Sequence, residues 1–190
     1  MQGKSRYHQS NEQLLRENDI IEAAKKNPER FAPIYTKYHE QIYRYVYQRM
    51  DSKDEADDVT QQIFIKAITK LEKYQFRGVP FSSWLYRVAM SEVYQYLKDN
   101  GASRTINIES SGLSELDDDF EDDADRFRDK QTLIQLISTL PEEELLIIEM
   151  RYFEKRSFRE IGEILGIAEN NAKVKSFRIV NKLRKGFPQP

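Results

Sequence analysis

Cysteine is absent from this 190-residue chain, which excludes disulfides, thiol catalysis and most zinc-finger ligand sets. The two histidines, His8 and His39, lie too far apart in sequence and context to suggest a catalytic pair. No glycine-rich phosphate loop, nucleophile elbow or metal motif occurs. These absences point away from an enzyme, and no cofactor or metal is expected. No run approaches the roughly 18 apolar residues of a membrane span. The opening residues, Met1 to His8, have no apolar signal core. The expected compartment is the cytoplasm, with no direct membrane insertion. Strand-length period-two alternation and internal repeats are missing too, so the expected fold class is all-α.

The charge is unevenly placed. A formal net of −2 and a pI near 5.9 would argue against a nucleic-acid partner. Yet between Glu109 and Asp129 acids outnumber bases ten to two. The rest of the chain is therefore net basic, and the partition matters more than the total.

Periodicity and capping divide the chain into four parts. Residues 1–18 are polar and read as a flexible tail. Residues 19–100 read as one helical domain. Phe31, Ile34, Tyr35, Tyr38, Ile42, Tyr45 and Val46 make one stripe, broken at Met50-Asp51. Ser52 and Glu55 form a capping box that opens a helix with Val59, Ile63 and Ala67 inward, ending near Tyr74. Gly78-Val-Pro80 is a loop. Phe81 to about Lys98 is a further helix with Leu85, Val88, Ala89, Val93 and Tyr96 on its core face. Residues 101–129 are an acidic flexible linker, with too little apolar surface to offset ordering entropy. Residues 130–187 form a second small helical domain, beginning with Leu133, Leu136, Ile137 and Leu140. Pro141 follows, and then Glu142, Glu143 and Glu144, which suit a positive helix end.

The last of these parts carries the clearest chemistry. Ser157 and Glu160 make a capping box, Ile161, Ile164 and Leu165 give one apolar face, and Gly166 can end the helix in the left-handed conformation. Gly162 allows a following helix to approach closely. That helix has no acid after Glu169 and carries Lys173, Lys175, Arg178, Lys182, Arg184 and Lys185. The pattern is a helix-turn-helix whose second helix fits a DNA major groove. Helical spacing puts Ala172, Ser176, Ile179 and Leu183 inward. Asn170, Lys173, Val174, Phe177, Arg178 and Asn181 face the opposite way. Phe177 could touch thymine methyls, Lys173, Lys175 and Arg178 could hold phosphate or guanine, and Asn170 or Asn171 could pair with adenine.

Two more patches stand out. Trp84, Arg87, Ser91, Tyr94 and Lys98 share one stripe, preceded by Phe76, Arg77 and Phe81. Rings interleaved with cations suit unstacked bases, since each base can stack on a ring for about 1–3 kcal/mol. The plainer reading makes Phe76, Phe81 and Trp84 core aromatics. Asp54, Asp57, Asp58, Gln61 and Ile65 share another helix face, which could dock on a basic partner helix or simply be solvated.

These patches occur in a recognisable order, and the chain resembles the extracytoplasmic-function sigma factors, small bacterial sigma subunits of RNA polymerase. Asp54-Glu-Ala-Asp-Asp-Val-Thr-Gln-Gln-Ile-Phe64 is similar to the clamp-binding motif of sigma region two. Phe81-Ser-Ser-Trp-Leu-Tyr-Arg-Val-Ala89 is similar to its promoter-melting motif. Leu140-Pro-Glu-Glu-Glu144, Arg151-Tyr-Phe-Glu154 and the helix-turn-helix resemble region four. The resemblance implies that Asp57, Asp58 and Gln61 help bind core RNA polymerase. It implies that Phe76, Arg77, Phe81, Ser82, Trp84, Arg87 and Ser91 open and read the minus-ten element, and that the last helix reads the minus-thirty-five element in duplex DNA. Many relatives are held by an anti-sigma factor, which adds a candidate controlling partner. Family members often start the reading helix with Ser, where this chain has Ala168. The rival from another class is a polymerase-independent helix-turn-helix regulator, which would bind duplex DNA alone.

Overall fold

The computed structural model describes residues 9–100, 116 and 130–187, and among them every regular element is helical. The acidic linker, residues 101–129, lies outside the described residues apart from Leu116, as do residues 1–8 of the expected tail. The chain separates into two compact units, one spanning Gln9–Asn107 and the other containing Ile108–Pro190.

Among its described residues the first unit has four α-helices. α1 spans Asn11–Lys26, so the expectation of a flexible tail to residue 18 is wrong. Ser10 Oγ accepts from the Gln13 amide, and the Gln13 side chain accepts from the Ser10 amide. This closes a capping box that satisfies two otherwise unpaired groups. Leu14, Ile21 and Ala24 are buried along this helix. A 3-10 turn over Pro28–Phe31, started by the Asn27 side chain, leads into α2, Ala32–Tyr47. α3, Lys53–Thr69, begins at the Ser52–Glu55 capping box, and a 3-10 turn at Leu71–Lys73 ends that stretch. α4 runs Phe81–Asn100.

α3 packs against both α2 and α4, and α1 against α2. Ile21, Ile34, Ile42, Val46, Ile63, Leu85 and Tyr86 are at most 1% exposed. Each such side chain contributes roughly 1.5–3 kcal/mol by leaving water. Tyr35, placed with the core stripe on periodicity, is exposed instead and rests edge-on against Phe64 at 4.8 Å. Arg49 is also buried; its guanidinium lies 4.0 Å over the Tyr45 ring and donates to the Tyr45 carbonyl at 3.0 Å.

In the second unit, α5 spans Lys130–Ser138, α6 Glu142–Ile148, α7 Phe158–Leu165 and α8 Glu169–Gly186. A π-helical turn over Glu149–Phe153 joins α6 to the segment before α7. α8 is the hub, packing on α5, α6 and α7. Leu133, Ile137, Leu145, Leu146, Ile161, Ile179 and Leu183 make the core between them. Leu136 is half-buried where α8 ends, close enough that a Cβ on Gly186 would meet its Cδ2 at 2.7 Å.

Tyr74 links packing to pH. Burial, reinforced by the charges of Glu17 and Glu22, pushes its phenol above the ordinary value of 10. The folded state therefore keeps a proton that the unfolded chain releases near pH 10. This contribution to stability is whole below that pH and is lost as pH rises toward the folded value. Thermal scans should show the first unit's midpoint falling above about pH 10, and Tyr74→Phe should flatten that fall. An unchanged alkaline slope in the variant would remove Tyr74 as its source.

Candidate nucleic-acid and partner interfaces

α3 carries a polar stripe that the core does not use. Asp54, Asp57, Asp58, Gln61 and Ile65 are all exposed, and Ile65 reaches 56%. Ala56, Val59, Thr60, Ile63, Phe64 and Ala67 are buried on the same helix. An exposed aliphatic beside three carboxylates suits a partner helix that offers cations around an apolar seam. The C-terminal part of α4 passes close to the start of α3. There burial, a hydrogen bond to Glu55 and the charges of Glu55, Asp58 and Asp51 raise the Tyr96 phenol above its ordinary value.

The second surface is the 74–80 loop with the outer face of α4. Val79 and Pro80 are buried and anchor the loop, and Gly78 takes φ 68° in the left-handed region that favours glycine. Arg77, Arg87, Ser91 and Tyr94 are exposed, Tyr94 to 69%, and Phe76 and Trp84 are half-buried. Trp84 leans on Phe81 and Tyr74 at 5.3 and 5.7 Å between ring centroids. It is thus held from behind while part of it stays open.

Phe81 and Ser82 depart from the expectation that they touch DNA. Phe81 is 0% and Ser82 2% exposed. The Phe81 ring sits among Phe31, Tyr38, Tyr74 and Trp84, with centroids 5.0–6.4 Å away. The resemblance set Phe81 among the strand contacts, but its rotation about α4 turns it into the core. The plainer reading holds for Phe81, and for Trp84 only on its inner edge.

The third surface is the helix-turn-helix. The Ser157–Glu160 capping box is present, with Ser157 Oγ accepting from the Glu160 amide at 3.2 Å. Gly166 ends α7 at φ 70°. A Cβ at Gly162 would meet the Ile167 carbonyl oxygen at 2.7 Å and the Glu169 nitrogen at 3.3 Å. The turn is therefore pressed onto α7 and cannot take a side chain there without shifting backbone. Ala172, Ser176, Ile179 and Leu183 are buried. Asn170, Asn171, Lys173, Val174, Phe177 and Arg178 are exposed, Val174 to 46% and Phe177 to 65%. Lys175 is half-buried and bridges to Glu143, and Lys182 bridges to Glu144 at 2.7 Å. Two of the helix's cations are thus turned toward α6, and Lys173 and Arg178 lead the outward set.

Family models match both units. Sigma-70 region 2 covers residues 34–103 and Sigma-70 region 4 residues 136–185. The chain belongs to the extracytoplasmic-function sigma factors. It is 27% identical to the sigma factor SigW of Bacillus subtilis over 182 residues, 91% of this chain and 97% of SigW. It is 23% identical to the sigma factor BldN of Streptomyces coelicolor over 172 residues, 90% of this chain but 65% of BldN's length. Two solved structures share the fold at 16% identity. CnrH, in complex with the cytosolic domain of CnrY, has TM-score 0.60 and covers 89% of this chain and 95% of its own. RpoE of Bartonella quintana, in complex with the anti-sigma factor NepR, has TM-score 0.57 and covers 82% and 95%.

In this sigma factor, sequence reasoning overlooked two residues of α1. Glu17 is 5% exposed. Its Oε1 accepts from the Tyr38 hydroxyl at 2.5 Å and the Lys37 ammonium at 2.6 Å, and its Oε2 from the Phe81 amide at 2.7 Å. Lys25 donates to the Tyr74 carbonyl at 3.0 Å. Glu17 lies on the buried face with Leu14 and Ile21 at spacings of three and four, and a carboxylate in such a row was the available signal.

The start of α8 generates a stability prediction. Ala168 is its N-cap, at φ −65° and ψ 147°, and offers no side-chain acceptor. In Ala168→Ser the new hydroxyl can accept from the Asn170 or Asn171 amide, worth about 1 kcal/mol. The thermal midpoint of the second unit should rise; an unchanged or lower midpoint contradicts the capping argument.

Proposed function

We propose that this sigma factor brings core RNA polymerase to its promoters by dividing the work among three surfaces. The α3 stripe of Asp54, Asp57, Asp58, Gln61 and Ile65 docks on the polymerase. Phe76, Arg77, Trp84, Arg87, Ser91 and Tyr94 capture the opened minus-ten strand, with Phe81 and Ser82 supporting them from within. Asn170, Asn171, Lys173, Val174, Phe177 and Arg178 read the minus-thirty-five duplex, and Lys175 contributes from the edge of that face. Bond formation belongs to the polymerase, so the chain needs no catalytic group, and it works in the cytoplasm where polymerase and chromosome meet.

The observation that carries this reading is Phe177, 65% exposed on a helix face with Lys173 and Arg178. A ring left in water on a helix forgoes the burial energy that a partner covering it would recover. The major groove provides that cover through thymine methyls and sugar edges, while the cations hold phosphate or guanine. Relatives of the same fold have been captured with regulatory partners, RpoE with the anti-sigma factor NepR among them. By analogy an anti-sigma factor also controls this chain.

The test separates the surfaces. The purified chain should co-elute with core RNA polymerase and allow it to initiate at a promoter. Lys173→Ala should weaken holoenzyme binding to promoter duplex by about tenfold, the value of one good charged contact, and leave co-elution with polymerase intact. Loss of both properties would mean that α8 is misassigned.

A further inference from the structure

The loop that carries Phe76 and Arg77 is tied at both ends to one helix. At its start, the Lys25 ammonium donates to the Tyr74 carbonyl at 3.0 Å and lies 5.8 Å from the centre of the Tyr74 ring. At its end, Glu17 Oε2 accepts from the Phe81 amide at 2.7 Å, the first amide of α4. Glu17 and Lys25 both belong to α1 and lie on its inward side. The Glu17 side chain is 5% and the Lys25 side chain 14% exposed.

We infer that α1 is a positioning element for strand capture, with Glu17 and Lys25 as its two positioning residues. This inference rests on the proposal that Phe76, Arg77, Trp84 and Arg87 hold the opened minus-ten strand. Neither Glu17 nor Lys25 touches that strand; they act through the loop. The carboxylate faces the positive end of the α4 dipole and satisfies an amide that no earlier residue of α4 can serve. Its other oxygen is held by Tyr38 and Lys37. Gln9 in turn donates to the Tyr38 hydroxyl at 2.9 Å. The loop between the two anchors is short, from Tyr74 to Phe81, and turns once at Gly78, where φ is 68°. With both ends fixed, Phe76 and Arg77 are presented in one arrangement, and ordering them is not charged against DNA binding.

The chemistry dictates the variants. Glu17→Gln keeps the size but removes the charge and one of the two acceptor oxygens. If its amide oxygen serves Phe81, its NH2 group can donate to Tyr38 only after that hydroxyl turns, and it offers the Lys37 ammonium no acceptor; reversed, it faces the Phe81 amide. Lys25→Met keeps the stem and loses the donor, whereas Lys25→Arg keeps a donor. Ile21→Val trims the same helix without touching either anchor and serves as the stability control.

The experiment measures capture of a fluorescent single-stranded minus-ten oligonucleotide by holoenzyme. Permanganate reactivity of promoter thymines and the affinity for core polymerase are measured alongside. Glu17→Gln and Lys25→Met should each weaken capture by about tenfold and reduce permanganate reactivity, at unchanged polymerase affinity. Lys25→Arg should restore capture, and Ile21→Val should leave it as in wild type whatever its thermal midpoint. Wild-type capture in Glu17→Gln and Lys25→Met overturns the inference, as does an equal loss in Ile21→Val. Trp84→Ala and Arg87→Ala form the separate arm. If they lose capture while the α1 variants keep it, α1 positioning alone is wrong. If they also bind as wild type, the strand-capture proposal itself is wrong.

Discussion

A buried carboxylate decides how the first unit is assembled. Taking Glu17 out of water costs several kcal/mol, as for any ion placed in a protein interior. Both of its oxygens are engaged, by Tyr38 and Lys37 of α2 on one side and by the first amide of α4 on the other. That arrangement offsets the desolvation only if α1, α2 and α4 meet in one geometry. Hydrophobic burial alone would tolerate small slides of these helices, because it has no direction. The three hydrogen bonds do not. They set where α4 begins, and so where Trp84 and Arg87 emerge about one and two turns later.

The second unit solves the same problem with the opposite charge. Arg156 is fully buried, with Glu160 at 3.3 Å and Glu154 at 3.8 Å. Glu160 is also the capping-box acceptor for the Ser157 amide at 3.0 Å. One carboxylate thus neutralises a buried cation and fixes the first turn of α7. Breaking such a pair leaves an uncompensated charge inside, which typically costs about 3–5 kcal/mol. Downstream, Gly162 lets the Ile167 carbonyl and the Glu169 amide come down onto α7. The outward pitch of α8 is therefore inherited from a chain of local contacts that starts at Arg156. The exposed row of Lys173, Val174, Phe177 and Arg178 is its result.

How much of this could be read from residues alone follows from the range of each interaction. The capping boxes at Ser52 and Ser157, the inward row of Ala172, Ser176, Ile179 and Leu183, and the exposed stripe of α3 all obey spacing rules within one helix. All of them were legible. The same rules were present at Ser10 and Gln13, but the mostly polar stretch Asn11–Asp19 outweighed them, and the first half of α1, residues 11–18, was read as tail. Phe81 was left open between core and strand contact by its residues and was placed with the strand contacts by the resemblance. Its orientation depends on Phe31, Tyr38 and Tyr74, which come from other elements. The Lys175–Glu143 and Glu17–Phe81 contacts join residues 32 and 64 positions apart, and no periodicity connects them. Local chemistry was visible, and the polar links between elements were not.

Those links also explain how a chain of net charge −2 keeps surfaces of opposite sign from blurring. On the first unit, Lys66 of α3 bridges to Glu92 of α4 at 2.5 Å, closing the seam between the acidic stripe of α3 and the aromatic–cationic face of α4. On the second, Glu143 and Glu144 draw Lys175 and Lys182 toward α6. Exposed pairs of this kind add little stability, typically 0–1 kcal/mol. Their effect is on where unpaired charge is left. Two of the six cations of α8 are thus drawn to neighbouring acids, while Lys173 and Arg178 flank the exposed Phe177. Phosphate contacts give affinity for any sequence, whereas base-edge and methyl contacts discriminate.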